Sequence, residues 1–139
     1  MENDYLDNAN LLRELKRIEF RPGLWFREES ISYLQTYVWG YGCAMAHMTP
    51  IPRQTDLFGP FGRWLAERSG DTATENCFSQ LLSQEKDEAR AFRRFFVEFV
   101  AFLKIAHPEL HEIWLNAPTS ATNSGLRKEK IHFGKPVVD

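Results

Sequence analysis

Three sets of residues in this 139-residue chain have types and spacings that suggest chemistry. His107 and His111 stand at the i,i+4 spacing that lets two imidazoles share one metal ion on a helix. Pro108 falls between them, no Glu follows His107, and a third ligand would have to come from elsewhere, so no metal is assigned. The bland reading is that His107 interacts with the C-terminus of a helix. Cys43 and His47 share that spacing and suggest a nucleophile pair or a soft metal site. No third partner is evident, and Cys43 beside Tyr41 and Met45 reads as core. The pairs Glu28/Glu29 and Asp87/Glu88 resemble acid–base couples, but both fall at expected helix N-termini, where the helix dipole accounts for carboxylates. The chain has no phosphate-binding glycine loop and no nucleophile elbow. No catalytic residue, metal or cofactor is assigned, and the expectation is a non-enzymatic protein.

The elements that would position these residues are helices. Asp7 or Asn8 caps a first helix running to about Phe20, with Leu11, Leu12, Leu15 and Ile18 on one face. Pro22 disfavours the helical conformation at Arg21 and ends it. Pro22-Gly23 fits the centre of a type II turn, with positive φ at Gly23. Ser30 caps a second helix in which Ile31, Leu34, Val38, Tyr41 and Met45 recur at spacings of three and four, so this helix is expected to be a central packing element. Gly40 and Gly42 each cost it about 1 kcal/mol relative to Ala, which points to close approach by another helix or room for an aromatic ring. After the loop TPIPRQTDLFGP, a third helix carries Phe61, Trp64 and Leu65 and stops at Gly70. Thr74 is a candidate cap for a short segment with Phe78, Leu81 and Leu82. A long helix is expected from near Ser83 to about Ile105, with Glu85, Asp87 and Glu88 in its first turns and a stripe of Phe92, Phe95, Phe96, Phe99, Phe102 and Leu103. Glu109 to Leu115 adds a short helix. The expected class is all-α, a single compact bundle of four to five helices over 1–115, followed by a polar linker and basic irregular arm over 116–139.

Composition narrows the partners. The length is that of one domain, and the net charge of −2 implies no general polyanion partner. Arg90/Arg93/Arg94 and Arg127/Lys128/Lys130 are basic clusters with acidic neighbours, which argues against nucleic acid. Two cysteines are too few for a disulfide framework and read as free, buried thiols in a reducing compartment. The N-terminus lacks the character of a signal peptide and no run is long enough to span a bilayer, so a cytoplasmic protein without membrane association is expected.

Trp25, Phe26 and Trp39 lack an obvious place in this scheme. Trp39 points away from the Leu34/Val38/Tyr41 face, and Trp25-Phe26 sit in a turn. Aromatic residues off the core face are enriched at interfaces. The pattern Arg21-Pro22-Gly23-Leu24-Trp25, then Ser30-Ile31, Leu34, Tyr37 and Gly40-Tyr41, then Phe61-x-x-Trp64-Leu65 and the Phe-rich helix, resembles small bacterial immunity-like proteins of polymorphic-toxin and contact-dependent-inhibition loci. The chain departs from that pattern at Phe26-Arg27, where glycine is expected after the aromatic residues. The resemblance implies a helical protein that occludes a cognate toxin. It directs attention to Trp25, Phe26, Arg27 and Trp39, and to the acidic turn Glu85/Asp87/Glu88, as the partner-binding surface. A self-associating helical module, a homodimer through the Phe-rich helix, is the alternative, and a small enzyme using His47, His107 or an acidic pair is the third reading.

Overall fold

The computed structural model describes residues 2–48, 56–70 and 75–119, with side chains from Asn8 onward. Its elements are α1 (Glu2–Phe20), a 3-10 turn (Pro22–Leu24), α2 (Ile31–Met48), α3 (Phe58–Ser69), α4 (Cys77–Glu85), α5 (Glu88–Ala106) and α6 (Pro108–Asn116). All regular structure among the described residues is therefore helical, as expected, with six helices in place of four to five. The loop 49–55, the Thr74 cap and the arm from residue 120 lie outside the described residues.

The hub is α5, which packs against α2, α3, α4 and α6. Its stripe of Phe92, Phe95, Phe96, Phe99, Phe102 and Leu103 is entirely buried. Phe95 stacks on Phe78 of α4 at 5.5 Å between ring centroids, and Phe99 meets the edge of Phe61 of α3 at 5.3 Å. Such ring pairs add about 0.5–1.5 kcal/mol each beyond the area they bury. With every one of these phenylalanines facing inward, α5 has no aromatic face left for self-association. The second helix packs on α5 and α4 through Ile31, Leu34 and Val38, but the hub is α5.

Two local features set the helix count. The long helix expected from Ser83 is broken at Lys86, which adopts a left-handed conformation (φ 60°, ψ 27°) and C-caps α4. Asp87 then caps α5 by accepting a hydrogen bond from the Arg90 N–H at 2.8 Å. Glu85 consequently ends α4 rather than opening α5. The cap of α4 is Asn76, whose side chain accepts from the Ser79 N–H at 2.8 Å. At the other end, α1 begins before Asp7 and Asn8, so neither residue is its cap. Its apolar face, Leu11, Leu12, Leu15 and Ile18, is buried, and it packs on α6. The Lys16 ammonium donates to the carbonyls of Trp114 at 2.6 Å and Leu115 at 3.2 Å, which ties α1 to the end of α6; the Trp114 carbonyl also accepts from the Ala117 N–H at 3.3 Å.

The Arg21-Pro22-Gly23 turn differs from the type II turn expected. It closes as a 3-10 turn, with the N–H groups of Trp25 and Phe26 both reaching the Pro22 carbonyl, at 3.0 and 2.9 Å. Among the described residues only Lys86 and Gly70 have positive φ, so Gly23 does not use the freedom glycine offers.

Candidate interaction surface

The candidate surface is built on α2, and its construction begins with how α2 is held. Ser30 caps the helix as expected, accepting from the Tyr33 N–H at 3.2 Å. Glu88, in the first turn of α5, completes the cap from across the core. Its Oε1 accepts from the Ser30 hydroxyl at 2.8 Å and the Ser32 N–H at 2.9 Å, and its Oε2 accepts from the Ser32 hydroxyl at 2.7 Å. Partial burial opposes ionisation of Glu88, but the donors from Ser32 and Ser30 outweigh it and hold the carboxyl below its ordinary value. One carboxylate therefore satisfies the N-terminus of α2 and fastens it to α5. Ile31, Leu34 and Val38 are buried against the core below this clamp.

Beyond Val38 the helix changes character. No residue of α2 after Val38 is buried, although Tyr41 and Met45 continue the apolar periodicity and are partly covered. From Ser30 to Met48 there is no Asp, Glu, Lys or Arg. Trp39 is 58% exposed and Met48 77% exposed. A Cβ placed at Gly40 or at Gly42 would meet nothing within 4 Å. Among the described residues no packed helix and no aromatic ring explains either glycine. Gly62 of α3 is the opposite case: a Cβ there would lie 3.4 Å from the Cys77 backbone nitrogen, so glycine allows α3 and α4 to approach closely. Gln80 secures that approach by donating to the Gly62 and Glu75 carbonyls, each at 3.0 Å.

Under the second half of α2 lies an open apolar groove of about 640 Å³. Val38, Tyr41, Gly42 and Ala46 form one wall, and Leu11, Leu57 and Phe58 face them. Trp39, Phe58 and Phe78 are shared with an adjoining recess of about 420 Å³, which also reaches Arg63 and Glu75. Asp56 is the one charged residue among the described residues that line the larger lobe. Its Oδ1 accepts from the N–H groups of Phe58 at 3.1 Å and Gly59 at 3.3 Å, at the start of α3.

The residues singled out from the sequence separate into two groups. Trp39 lies on this surface. Trp25 and Phe26 are half-buried and pack on the core, with Phe26 wedged between Tyr33 and Tyr37 of α2 and Phe92 of α5 at 6.0, 6.3 and 6.4 Å. Arg27 is exposed beside them. The acidic turn is occupied within the chain: Glu85 pairs with Arg94 at 3.1 Å and Arg90 at 3.5 Å, Asp87 caps α5, and Glu88 clamps α2. Glu29 pairs with Arg93. The structure does not bring these residues together as one surface. Two features were missed from the sequence: the groove itself, whose walls come from segments far apart in the chain, and the exposed pair Phe20 and Leu24 at the 3-10 turn.

Of the groups with catalytic types, His47 and His107 have structural partners. His47 Nδ1 lies 2.9 Å from the Cys43 carbonyl oxygen, so the imidazole is engaged with the backbone of its own helix. Cys43 is exposed at the groove, contrary to the buried thiol expected, because no helix among the described residues packs over the face that carries it. Cys77 is buried as expected, and burial pushes its thiol up to about 12. His107 caps the C-terminus of α5, with its N–H on the Leu103 carbonyl at 2.8 Å and its ring against Phe102. Among the described residues no group of three or more His, Cys, Asp or Glu is placed to hold a metal ion, and no helix is long and apolar enough to cross a membrane. Comparison with protein-family models, with curated proteins and with solved structures finds no match to this chain.

Proposed function

We propose that the protein is a non-enzymatic binding protein that acts as an immunity protein, neutralising a cognate bacterial toxin by occluding it. The observation that carries the reading is the second half of α2: an uncharged helix face that exposes Trp39 beside an apolar groove. A tryptophan next to an apolar recess has the make-up of an interface anchor. Steric occlusion asks for such a surface and for a rigid body behind it. The Glu88 clamp and the α5 core supply the rigidity, because they fix the first half of α2 and hence the direction in which the second half projects. The resemblance of the Arg21-to-Tyr41 pattern to immunity-like proteins supplies the class of partner.

The test is to look for a large toxin gene immediately upstream and, with the C-terminal domain it encodes, to measure co-purification and protection of cells expressing that domain. The expected result is a complex that forms with the wild type and weakens at least tenfold with Trp39→Asp. Failure of the wild type to bind or protect would overturn the reading.

A further inference from the structure

We propose that the C-terminal arm of this same chain folds back over the groove, seating Ile131 and Phe133 beside Trp39 with Lys130 at the Asp56 carboxylate. The proposal rests on the reading of this face as the interaction surface and names its regulation: the arm covers the face until a toxin displaces it.

The described chain ends close to the groove. Helix α6 closes at Asn116, Ala117 is buried, and Pro118 and Thr119 are partly covered, so the chain leaves α6 along the body of the protein. Lys16 of α1 ties down that end through the Trp114 and Leu115 carbonyls. Leu11, which lines the groove, stands five residues earlier on the same helix, about 7.5 Å along its axis. Allowing for the width of one helix, about 10–12 Å, the groove begins within about 20 Å of the last described residues. Twelve residues lead from Thr119 to Ile131, a reach of about 40 Å when extended. A tether that spans its site presents the attached segment at an effective concentration in the millimolar range, so even a weak contact holds it.

The segment matches the groove in kind. Successive side chains of an extended chain alternate sides, so Ile131 and Phe133 enter together while Lys130 and His132 face outward. The wall they meet, α2 from Val38 to Ala46, carries no charge, and Trp39 offers its ring to Phe133. Asp56 stands exposed at the larger lobe, with Oδ1 used at the start of α3 and Oδ2 taking no hydrogen bond from the described residues. The arm brings Arg127, Lys128 and Lys130 against Glu129 directly before the apolar pair, so its sign is complementary to Asp56. The adjoining recess carries one charge of each sign, Arg63 and Glu75, and leaves that balance unchanged.

The experiment is the rate of Cys43 alkylation by iodoacetamide in the full chain, because Cys43 lines the groove and reports whether it is covered. The wild type is compared with the double variant Ile131→Ser/Phe133→Ser and with Lys130→Glu, across about a hundredfold range of protein concentration. Circular dichroism and thermal melting verify that each variant keeps its helices. The expected result is that Cys43 reacts at least fivefold faster in the double variant than in the wild type. Lys130→Glu should fall between them, and added salt should move the wild type toward it, since an exposed charge pair is screened. The wild-type rate should not change with protein concentration, because the protection is intramolecular. Equal rates in the wild type and the double variant overturn the proposal. Protection that deepens with protein concentration also overturns it, because the cover would then be a second copy. Toxin binding is read separately: its loss beside a protected Cys43 removes the functional reading and leaves the docking, and its presence beside equal rates does the reverse.

Discussion

The two halves of α2 are built from similar residues and put to different uses. Up to Val38 the helix is capped by Ser30, clamped by Glu88 and buried on one face. After Val38 it carries Tyr41 and Met45 at the same spacing, but none of its residues is buried and its glycines face open space. The difference teaches that apolar periodicity identifies a face that wants covering, and does not say which molecule covers it. In the first half α5 does so; over the second half no helix among the described residues does.

The largest expected contrast is in thiol reactivity. Cys43 is exposed on the second half, whereas Cys77 is fully buried with its thiol raised to about 12. Alkylation of Cys77 must await unfolding, so Cys43 should react faster by about 10³-fold or more, judging from the equilibrium constants of stable domains. Peptide mapping after a short pulse of iodoacetamide reads this out, and equal labelling would break the contrast.

Next comes the cost of truncating the first half. Leu34→Ala should destabilise the fold by about 2–5 kcal/mol in denaturant titration, since Leu34 is fully buried. Glu88→Ala removes three hydrogen bonds from the cap and leaves the buried Ser30 hydroxyl without its acceptor, an expected loss of about 2–4 kcal/mol. The clamp is also pH-dependent. The folded state lowers the Glu88 pKa from its ordinary 4.5, so the clamp's contribution is whole above that value and is lost as pH falls through the lower folded one. Stability of the wild type and of Glu88→Gln should converge below about pH 4 in acid titrations, given that ordinary carboxylates protonate there. Parallel curves across that range would show that the carboxylate charge contributes nothing.

The smallest contrast has the opposite sign. Gly40→Ala should stabilise the isolated chain by about 0.5–1 kcal/mol, because it restores helix propensity without a clash. Gly62→Ala should gain less, since its added methyl presses on the Cys77 backbone. Thermal melts at low protein concentration decide between them.

Much of the fold is legible in the sequence. The stripes of α1 and α5 are long, strongly periodic and buried as read, and the Ser30 cap is where its side chain and position imply. The α4–α5 break was hidden because Lys86, rather than glycine, takes the left-handed position. Glu88 reads as a solvated residue at a helix start, since nothing local shows that its acceptors are used by Ser30 and Ser32 from more than fifty residues away. The candidate site was legible in one residue, Trp39. Trp25 and Phe26 sit in a turn, which gives no periodicity from which to read burial. The groove needed the tertiary structure, because α1, α2, α3 and α4 each contribute to it.

The central claim is that the second half of α2 serves binding and contributes little to folding. Trp39→Ala tests it most directly when stability and association are measured on the same sample. The account predicts a change in unfolding free energy within about 0.5 kcal/mol, as for exposed positions, with toxin binding weakened at least tenfold. A large loss of stability with association intact would contradict it.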